Sequence, residues 1–190
     1  MRHLAAILLC ACALPAFATD ASDPSAKART YAAQALATWA SDPKIIAAVR
    51  DQNTRHAALT QADIDALDKA WMAELGKPVQ PTISSVLATP PSDLLRAEVE
   101  LSAGLMTEVF VMDFLGLNVA SSGTTSDYWQ GDEAKFTETY PNGAGAIHVR
   151  DVDFDESAQI YQIQVSFTLT DPADGTVIGA VTVGLNAEQL

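Results

Sequence analysis

The sequence predicts an α+β fold in which a helical N-terminal segment, residues 19–106, precedes a central antiparallel sheet of about five strands in residues 107–190. Apolar residues recur at three- and four-residue steps up to about residue 106, as in amphipathic helices, and alternate with polar residues beyond it, as in strands. The 190 residues are 48% hydrophobic and only 18% charged. A chain of this length and composition forms one core and is not disordered.

Four helices are predicted in the N-terminal segment. Asp-Pro pairs at 23–24 and 42–43 start the first two, because a proline at the first helical position lacks an N–H that would have no partner there. Thr60 caps the third helix, which Gly76 ends. Its apolar residues share one face: Ile64, Leu67, Trp71 and Leu75. A looser segment at 81–91 leads to the fourth helix, Ser92 to Leu105.

The strands are predicted from alternation. Residues 109–112 and 117–120 form two short strands around a turn. The clearest alternation runs from Tyr161 to Thr170, with apolar side chains at odd positions and polar ones at even positions. This is typical of an antiparallel strand with one buried face. A turn and a partner strand at 176–183 follow it, and a helical insertion near 127–140 interrupts the sheet.

Residues 1–18 have the three parts of a secretory signal peptide: a basic start at Arg2, an apolar stretch from Leu4 to Leu14, and Ala-Phe-Ala before Thr19. The stretch is too short to span a bilayer, which takes about 20 apolar residues as a helix. The mature protein is therefore expected to begin near Thr19 and to be periplasmic. An alternative is a lipoprotein signal with acylation at Cys12.

The charge and the reactive residues exclude several classes of protein. With 24 acidic against 11 basic residues the net charge is -13, and no basic run is present to bind nucleic acid. Both cysteines, Cys10 and Cys12, lie in the predicted signal peptide. His56 and His148 have no partner at metal or triad spacing. The sequence therefore gives no positive support for an enzyme, a metal site or a cofactor.

Aromatic and acidic residues are concentrated in 122–140. Aromatic faces beside carboxylates recognise amines, because the ring attracts a cation and the carboxylate accepts its N–H groups. Tyr128 is one of the candidate ligand-binding residues. If the segment is helical, four others share a face: Trp129, Asp132, Phe136 and Tyr140. The alternative is that the aromatic residues form core and the acidic residues a solvated rim.

Further aspartates are candidates on the strands. Asp151, Asp153 and Asp155 alternate and would line one side of a strand. Such a row can hold a hard cation, but the spacing does not match a helix-loop-helix calcium site, and solvated edge residues are the alternative. Asp113, at the end of the first strand, is either a turn residue that caps the hairpin or a residue of a pocket floor.

Five pieces of the chain carry, in order, a resemblance to a known family: 109–120, 125–136, 153–157, 164–166 and 174–181. They resemble the Cache or PAS-like extracytoplasmic sensor domains of bacterial chemoreceptors and histidine kinases. The most specific piece contains Tyr-Trp-Gln-Gly-Asp-Glu, and it departs from the family at Phe136, where Trp is frequent. The resemblance implies a PAS-like sheet with a small-molecule pocket on one face, under a roof formed by 121–146.

The resemblance also implies where the candidate residues lie. It places Tyr128, Trp129 and Asp132 in the roof, Asp113 near the floor, and Asp153 or Asp155 on the facing strand. Members of the family usually sit between two membrane helices, whereas this chain ends at Leu190. A separate membrane partner is therefore expected, such as a sensor kinase, a chemoreceptor or a transporter, and a homodimer is a further expectation.

The function predicted from these observations is non-enzymatic binding of a small polar ligand, an amine or an amino-acid-like molecule. Lys135 and Arg150 are the only Lys or Arg residues from Ala97 onwards, and a carboxylate ligand would normally require an Arg fork. The alternative is a protein-interaction module that docks on a membrane sensor or transporter and has no ligand of its own.

Overall fold

The computed structural model describes residues 23–155 and 159–190. The predicted signal peptide and its two cysteines lie outside these ranges, as do residues 156–158. The described residues contain six α-helices: α1 Pro24–Ala37, α2 Pro43–His56, α3 Gln61–Glu74, α4 Pro81–Leu87, α5 Pro90–Leu101 and α6 Ala134–Thr137. They also contain six strands: β1 Met106–Met112, β2 Asn118–Ser121, β3 Ile147–Val149, β4 Asp153–Asp155, β5 Ile160–Thr170 and β6 Val177–Asn186.

The first three helices begin at the predicted caps. The side chains of Asp23, Asp42 and Thr60 each accept a backbone N–H of the first turn that follows, which gives that donor a partner. The loose segment expected before α5 is instead helical in part. Its helix, α4, is started by Glu74 of α3, whose carboxylate accepts the N–H groups of Thr82 and Ile83.

The sheet is antiparallel throughout its described pairs, in the order β2-β1-β6-β5, with β3 and β4 both paired to the outer edge of β5. The long hairpin of β5 and β6 forms its centre. The α+β prediction, with helices preceding an antiparallel sheet, is confirmed. The sheet has six described strands where about five were expected, because two three-residue strands share one edge.

One face of the sheet carries the main core. Helix α1 packs across β5, α2 against β6 and α5 against β1. The apolar side chains of this face are buried, and they include the odd positions of β5 as predicted: Ile163, Val165, Phe167 and Leu169. The exception is Tyr161, which is 53% exposed at the start of the strand.

The opposite face of the sheet is also covered, although a single buried face was expected. The polar residues Gln162, Ser166 and Thr168 of β5 are at most 6% exposed. Ser166 and Thr182 satisfy each other through a hydroxyl-hydroxyl hydrogen bond of 2.9 Å. The segment 122–146 provides the cover, and its Phe136 packs with residues of this face in a separate hydrophobic cluster.

The covering segment is not the single helix proposed as one interpretation of 127–140. Helix α6 has four residues, and a 3₁₀ turn at Tyr140–Asn142 follows it. Trp129 precedes α6 and forms an antiparallel bridge with Leu117, so it shares no helical face with Phe136 and Tyr140. The shared-face expectation was therefore wrong. In the described parts of the chain, no helix has the length and apolar character needed to cross a membrane.

Candidate functional site

A cavity of about 340 Å³ lies between the roof and the polar face of the sheet. Its volume is at the lower end of the range of small-molecule sites, about 300–1,000 Å³. Helix α6 and its N-cap form the roof, strand β5 the floor, and β3 with the residue that follows it the side. Seven residues line the cavity: Glu133, Ala134, Lys135, His148, Arg150, Gln164 and Ser166.

Lys135 is the basic residue of the roof, and three groups fix its ammonium group. Nζ donates to Oε1 of Gln130 at 3.0 Å and lies 3.2 Å from Oε2 of Glu133. It also lies 5.3 Å from the ring centre of Phe110, within the range of a cation–π contact. Gln130 is oriented by its own amide, which donates to the carbonyl of Asp127 at 2.9 Å. The ammonium group is therefore held at the cavity. The Lys135 side chain as a whole is only 16% exposed.

A second cavity, of about 160 Å³, adjoins the first along the outer edge of β5. Its lining is more acidic and consists of Arg150, Asp151, Asp153, Phe154, Asp155, Gln162 and Gln164. Arg150 and Gln164 belong to both cavities. The Arg150 guanidinium lies 3.4 Å from Oδ2 of Asp153, in a pair that is largely exposed. Such a pair contributes little to stability and can open at small cost.

The polar floor is organised by a carboxylate. Oε1 of Glu108 on β1 accepts the side-chain amides of Gln162 and Gln164 on β5, both at 3.0 Å. Between them lies Gly184 of β6, where an added Cβ would come within 2.4 Å of Oγ1 of Thr107 and 2.6 Å of the Gln162 amide. The network therefore requires glycine at 184, and it fixes Gln164, which faces both cavities.

The two predicted aromatic residues of the roof lie elsewhere. Tyr128 and Trp129 belong to a second hydrophobic cluster formed with α3 and α4, where Tyr128 stacks on Trp71. Oδ1 of Asp68 accepts the backbone N–H groups of both residues, at 2.9 and 3.0 Å. The indole N–H of Trp129 donates to the carbonyl of Leu115 at 2.8 Å. These contacts join the most specific motif of the sequence to the β1–β2 turn and to α3.

Asp113 is fully buried at the β1–β2 turn. Oδ1 accepts the N–H groups of Leu115 and Leu117, at 2.8 and 3.0 Å. Oδ2 accepts the Gln52 amide at 3.0 Å and lies 2.7 Å from Nδ1 of His56, which must donate because an ionised carboxylate only accepts. Of the two alternatives left open, the geometry is that of the turn residue, and it also joins the turn to α2.

Tyr140 belongs to the roof segment, where it stacks on Phe136 with 5.2 Å between ring centres. Burial raises the pKa of the Tyr140 hydroxyl, and the negative charge of Asp113 raises it further. The same two causes, burial first, raise the pKa of Tyr128 to about 12. Both hydroxyls therefore stay protonated at neutral pH and can donate hydrogen bonds.

The structure brings only some of the predicted residues together. Asp153 and Asp155 line the smaller cavity, whereas Asp132 is exposed on the roof. None of the seven candidates, all of which lie in the described ranges, lines the larger cavity. A ligand-binding role for these seven stays a prediction: Tyr128, Trp129, Asp132, Asp113, Asp153, Asp155 and Tyr140.

The residues that do line the larger cavity were not singled out as site residues. The signal that indicates them is the scarcity of Lys and Arg residues: beyond Arg96 the chain has only Lys135 and Arg150, and the fold brings both to one cavity. His148 on β3 is the third basic side chain there. Lys135 and Arg150 thus bring two positive charges to one cavity of a chain whose net charge is -13.

No family model and no curated protein sequence matches this chain. Several solved structures are similar in fold. One is the extracellular domain of a protein described as a histidine kinase, rpHK1S-Z16, at 18% identity and a TM-score of 0.43, covering 68% of this chain and 50% of that one. Another is the ligand-binding domain of the Campylobacter jejuni chemoreceptor Tlp3 in complex with 4-methylisoleucine, at 12% identity and a TM-score of 0.40. The match covers 93% of this chain and 65% of that one.

A third similar structure is the sensor domain of the V. cholerae histidine kinase DctB, at 14% identity and a TM-score of 0.39, covering 76% of this chain and 58% of that one. These three neighbours are described as the extracellular, ligand-binding and sensor domains of two histidine kinases and a chemoreceptor. The chain spans between half and two thirds of the length of these three structures.

Proposed function

We propose that this protein is an extracytoplasmic, non-enzymatic sensor-type module that binds a small polar molecule, an amine or an amino-acid-like compound, and acts with a separate membrane partner. The observation that carries the proposal is the roofed cavity on the polar face of the sheet, with opposite charges in its wall. Residues 1–18 supply the export signal, and periplasmic location is part of the proposal.

The composition of the cavity supports binding over a purely structural role for this face. Burying amide and hydroxyl groups in place of apolar side chains costs free energy unless every group is hydrogen-bonded. Here Gln164 and Ser166 are ordered by Glu108 and Thr182, and their side chains also line the cavity. A face built in this way offers fixed donors and acceptors to a molecule of matching size.

The charged residues of the cavity favour an amino-acid-like ligand over a simple amine. A ligand with only an ammonium group would meet Lys135 and Arg150, which repel it, although Glu133 would attract it. A ligand that also carries a carboxylate would be attracted by the two basic residues. Lys135 and Arg150 are few, but both line the same cavity and can therefore bind one carboxylate together.

The test is calorimetric titration of the mature protein against a panel of amino acids, amines and carboxylic acids. We expect at least one small polar compound to bind and to raise the unfolding midpoint. Ala134→Trp, on the cavity side of α6, should abolish binding by filling the space, and Thr137→Trp on the same helix but outside the cavity should leave binding intact. If no compound binds and no small molecule co-purifies, the interaction-module alternative replaces this proposal.

The location is tested separately, by expressing the full chain in a Gram-negative host and fractionating the cells. We expect the processed protein in the periplasmic fraction, with its new N-terminus near Thr19. Retention of residues 1–18 in a cytoplasmic product would refute the predicted export.

A further inference from the structure

We infer that the cavity selects dipolar molecules, because its own ion pair between Lys135 and Glu133 is exchanged for the two charged groups of the ligand. The inference rests on the proposed function and names the ligand class. In the exchange, a ligand carboxylate takes the place of the Glu133 carboxylate beside Lys135. A ligand ammonium group then takes the place of Lys135 beside Glu133.

The charges of the cavity wall are balanced before a ligand binds. In the structure Nζ of Lys135 and Oε2 of Glu133 neutralise each other at 3.2 Å, and the side chains are 16% and 41% exposed. A ligand with only a carboxylate takes Lys135 and leaves Glu133 without its cation. A ligand with only an ammonium group takes Glu133 and leaves the mostly buried ammonium of Lys135 without its anion. Each outcome carries the cost of an unpaired, partly buried charge.

A dipolar ligand avoids this cost because it brings one group of each sign. Both protein charges are paired before and after binding, so the exchange leaves the net charge of the site unchanged. Selectivity for dipolar over singly charged ligands therefore comes from the penalty imposed on the wrong ligand, and not only from contacts with the right one.

The surroundings of Lys135 allow the exchange. When Glu133 turns away, the Gln130 carbonyl oxygen and the Phe110 ring still hold the ammonium group, at 3.0 and 5.3 Å. Lys135 therefore stays directed at the cavity. Glu133 is free to move, because it is the more exposed partner and precedes the first turn of α6.

A second hydrogen-bond donor for the ligand carboxylate lies at the rim of the cavity. Arg150 lines the same cavity, is 61% exposed as a side chain, and is only loosely paired to Asp153 at 3.4 Å. Its guanidinium can offer two N–H groups to one carboxylate. The cavity thus has two cationic groups for the anionic end of a ligand and one acidic group, Glu133, for the cationic end.

The first experiment compares matched triplets by calorimetry on the wild-type protein, for example leucine, isopentylamine and 4-methylpentanoate, and repeats the comparison for other side-chain sizes. We expect an amino acid to bind at least about ten-fold more tightly than both of its singly charged counterparts, a difference of about 1.4 kcal/mol. If an amine or a carboxylic acid binds as tightly as its amino acid, the inference is overturned while the proposed function stands. If no compound of any class binds, the proposed function itself fails.

The second experiment uses charge-removing variants. Glu133→Gln should weaken amino-acid binding and strengthen carboxylic-acid binding, because Lys135 then lacks a competitor. Lys135→Gln should do the reverse and favour amines. Glu138→Gln, which removes an exposed acid close to the same helix, serves as the control and should change neither. This crossover in preference is a readout that a structural role of the pair does not produce. If a variant fails to fold, the triplets on wild type decide.

Discussion

The rings of Trp71 and Tyr128 lie parallel, with 5.3 Å between their centres and an interplanar angle of 6°. This contact attaches the start of the Tyr-Trp-Gln-Gly run to helix α3. Asp68, one turn earlier on the same helix, holds the backbone of the run through two N–H groups. The first part of the most specific motif is therefore a clamp between the helical layer and the roof.

Trp71→Ala should remove the centre of this clamp. The side chain is fully buried, and its indole N–H donates to the carbonyl of Thr125 at 2.9 Å. We expect a loss of about 3–5 kcal/mol in the free energy of unfolding, measured by urea denaturation. Met72→Ala, next along α3 and 42% exposed, is the control and should cost less than about 1 kcal/mol. Equal losses in the two variants would contradict the clamp.

Gly131→Ala should destabilise the junction between the roof and the β1–β2 turn. An added Cβ would lie 2.2 Å from Nε1 of Trp129 and 2.6 Å from the Leu115 carbonyl oxygen, and neither group can move without breaking their hydrogen bond. We expect a cost of about 1–3 kcal/mol. Gly123→Ala is the matched control, since nothing lies within 4 Å of its Cβ position. Thermal unfolding of both variants would show the difference, and a stable Gly131→Ala protein would refute the close approach.

Asp113→Asn should lower the free energy of unfolding far more than a substitution by a side chain of equal size usually does. The carboxylate accepts from four donors, and an amide must direct its own N–H groups at two of them. Each buried donor left without its acceptor costs about 1–3 kcal/mol. Asp132→Asn, the same substitution at an exposed site, should be close to neutral in the same urea titration. A neutral Asp113→Asn protein would show that the turn does not depend on the charge.

Alkaline pH should weaken the fold through Tyr128. Its pKa is about 12 in the folded protein against an ordinary value of 10, so the folded state binds more protons between these values. The stabilisation is therefore fully present below pH 10 and is lost as the pH rises towards 12, by about 2–3 kcal/mol in all. Between pH 8 and 11, the free energy of unfolding should fall more steeply above pH 10 for wild type than for Tyr128→Phe, which lacks the hydroxyl. An equal slope in the two proteins would contradict this role of Tyr128.

Local signals predicted the parts of the fold that depend on local interactions. Asp23, Asp42 and Thr60 accept N–H groups within three residues of themselves, so their helix starts can be seen in the sequence. Helix α4 was missed because its first turn is capped by Glu74, eight residues before Thr82 and in the preceding helix. The roof was misjudged as one helix because aromatic residues at helical spacing do not reveal that residue 131 packs against the β1–β2 turn.

The cavity could not be predicted in the same way. Lys135 and Arg150 are fifteen positions apart, and they meet only because β3 pairs with β5 while α6 lies over that strand. Their scarcity was noticed in the sequence, but without the strand pairing it favoured a cationic ligand. The same two residues, placed at one cavity, support a ligand that also carries negative charge.

The two short strands β3 and β4 share one edge of the sheet, where their residues form walls of the two cavities. Strand β5 is held along its length by β6 on one side, whereas the three-residue strands β3 and β4 only flank its other side. Substitutions at His148 and in 150–155 alter the walls of the two cavities, whereas Ile147 and Val149 pack against the core beside helix α1. New ligand preferences can therefore arise from substitutions at the cavity-lining positions of this edge with little loss of stability.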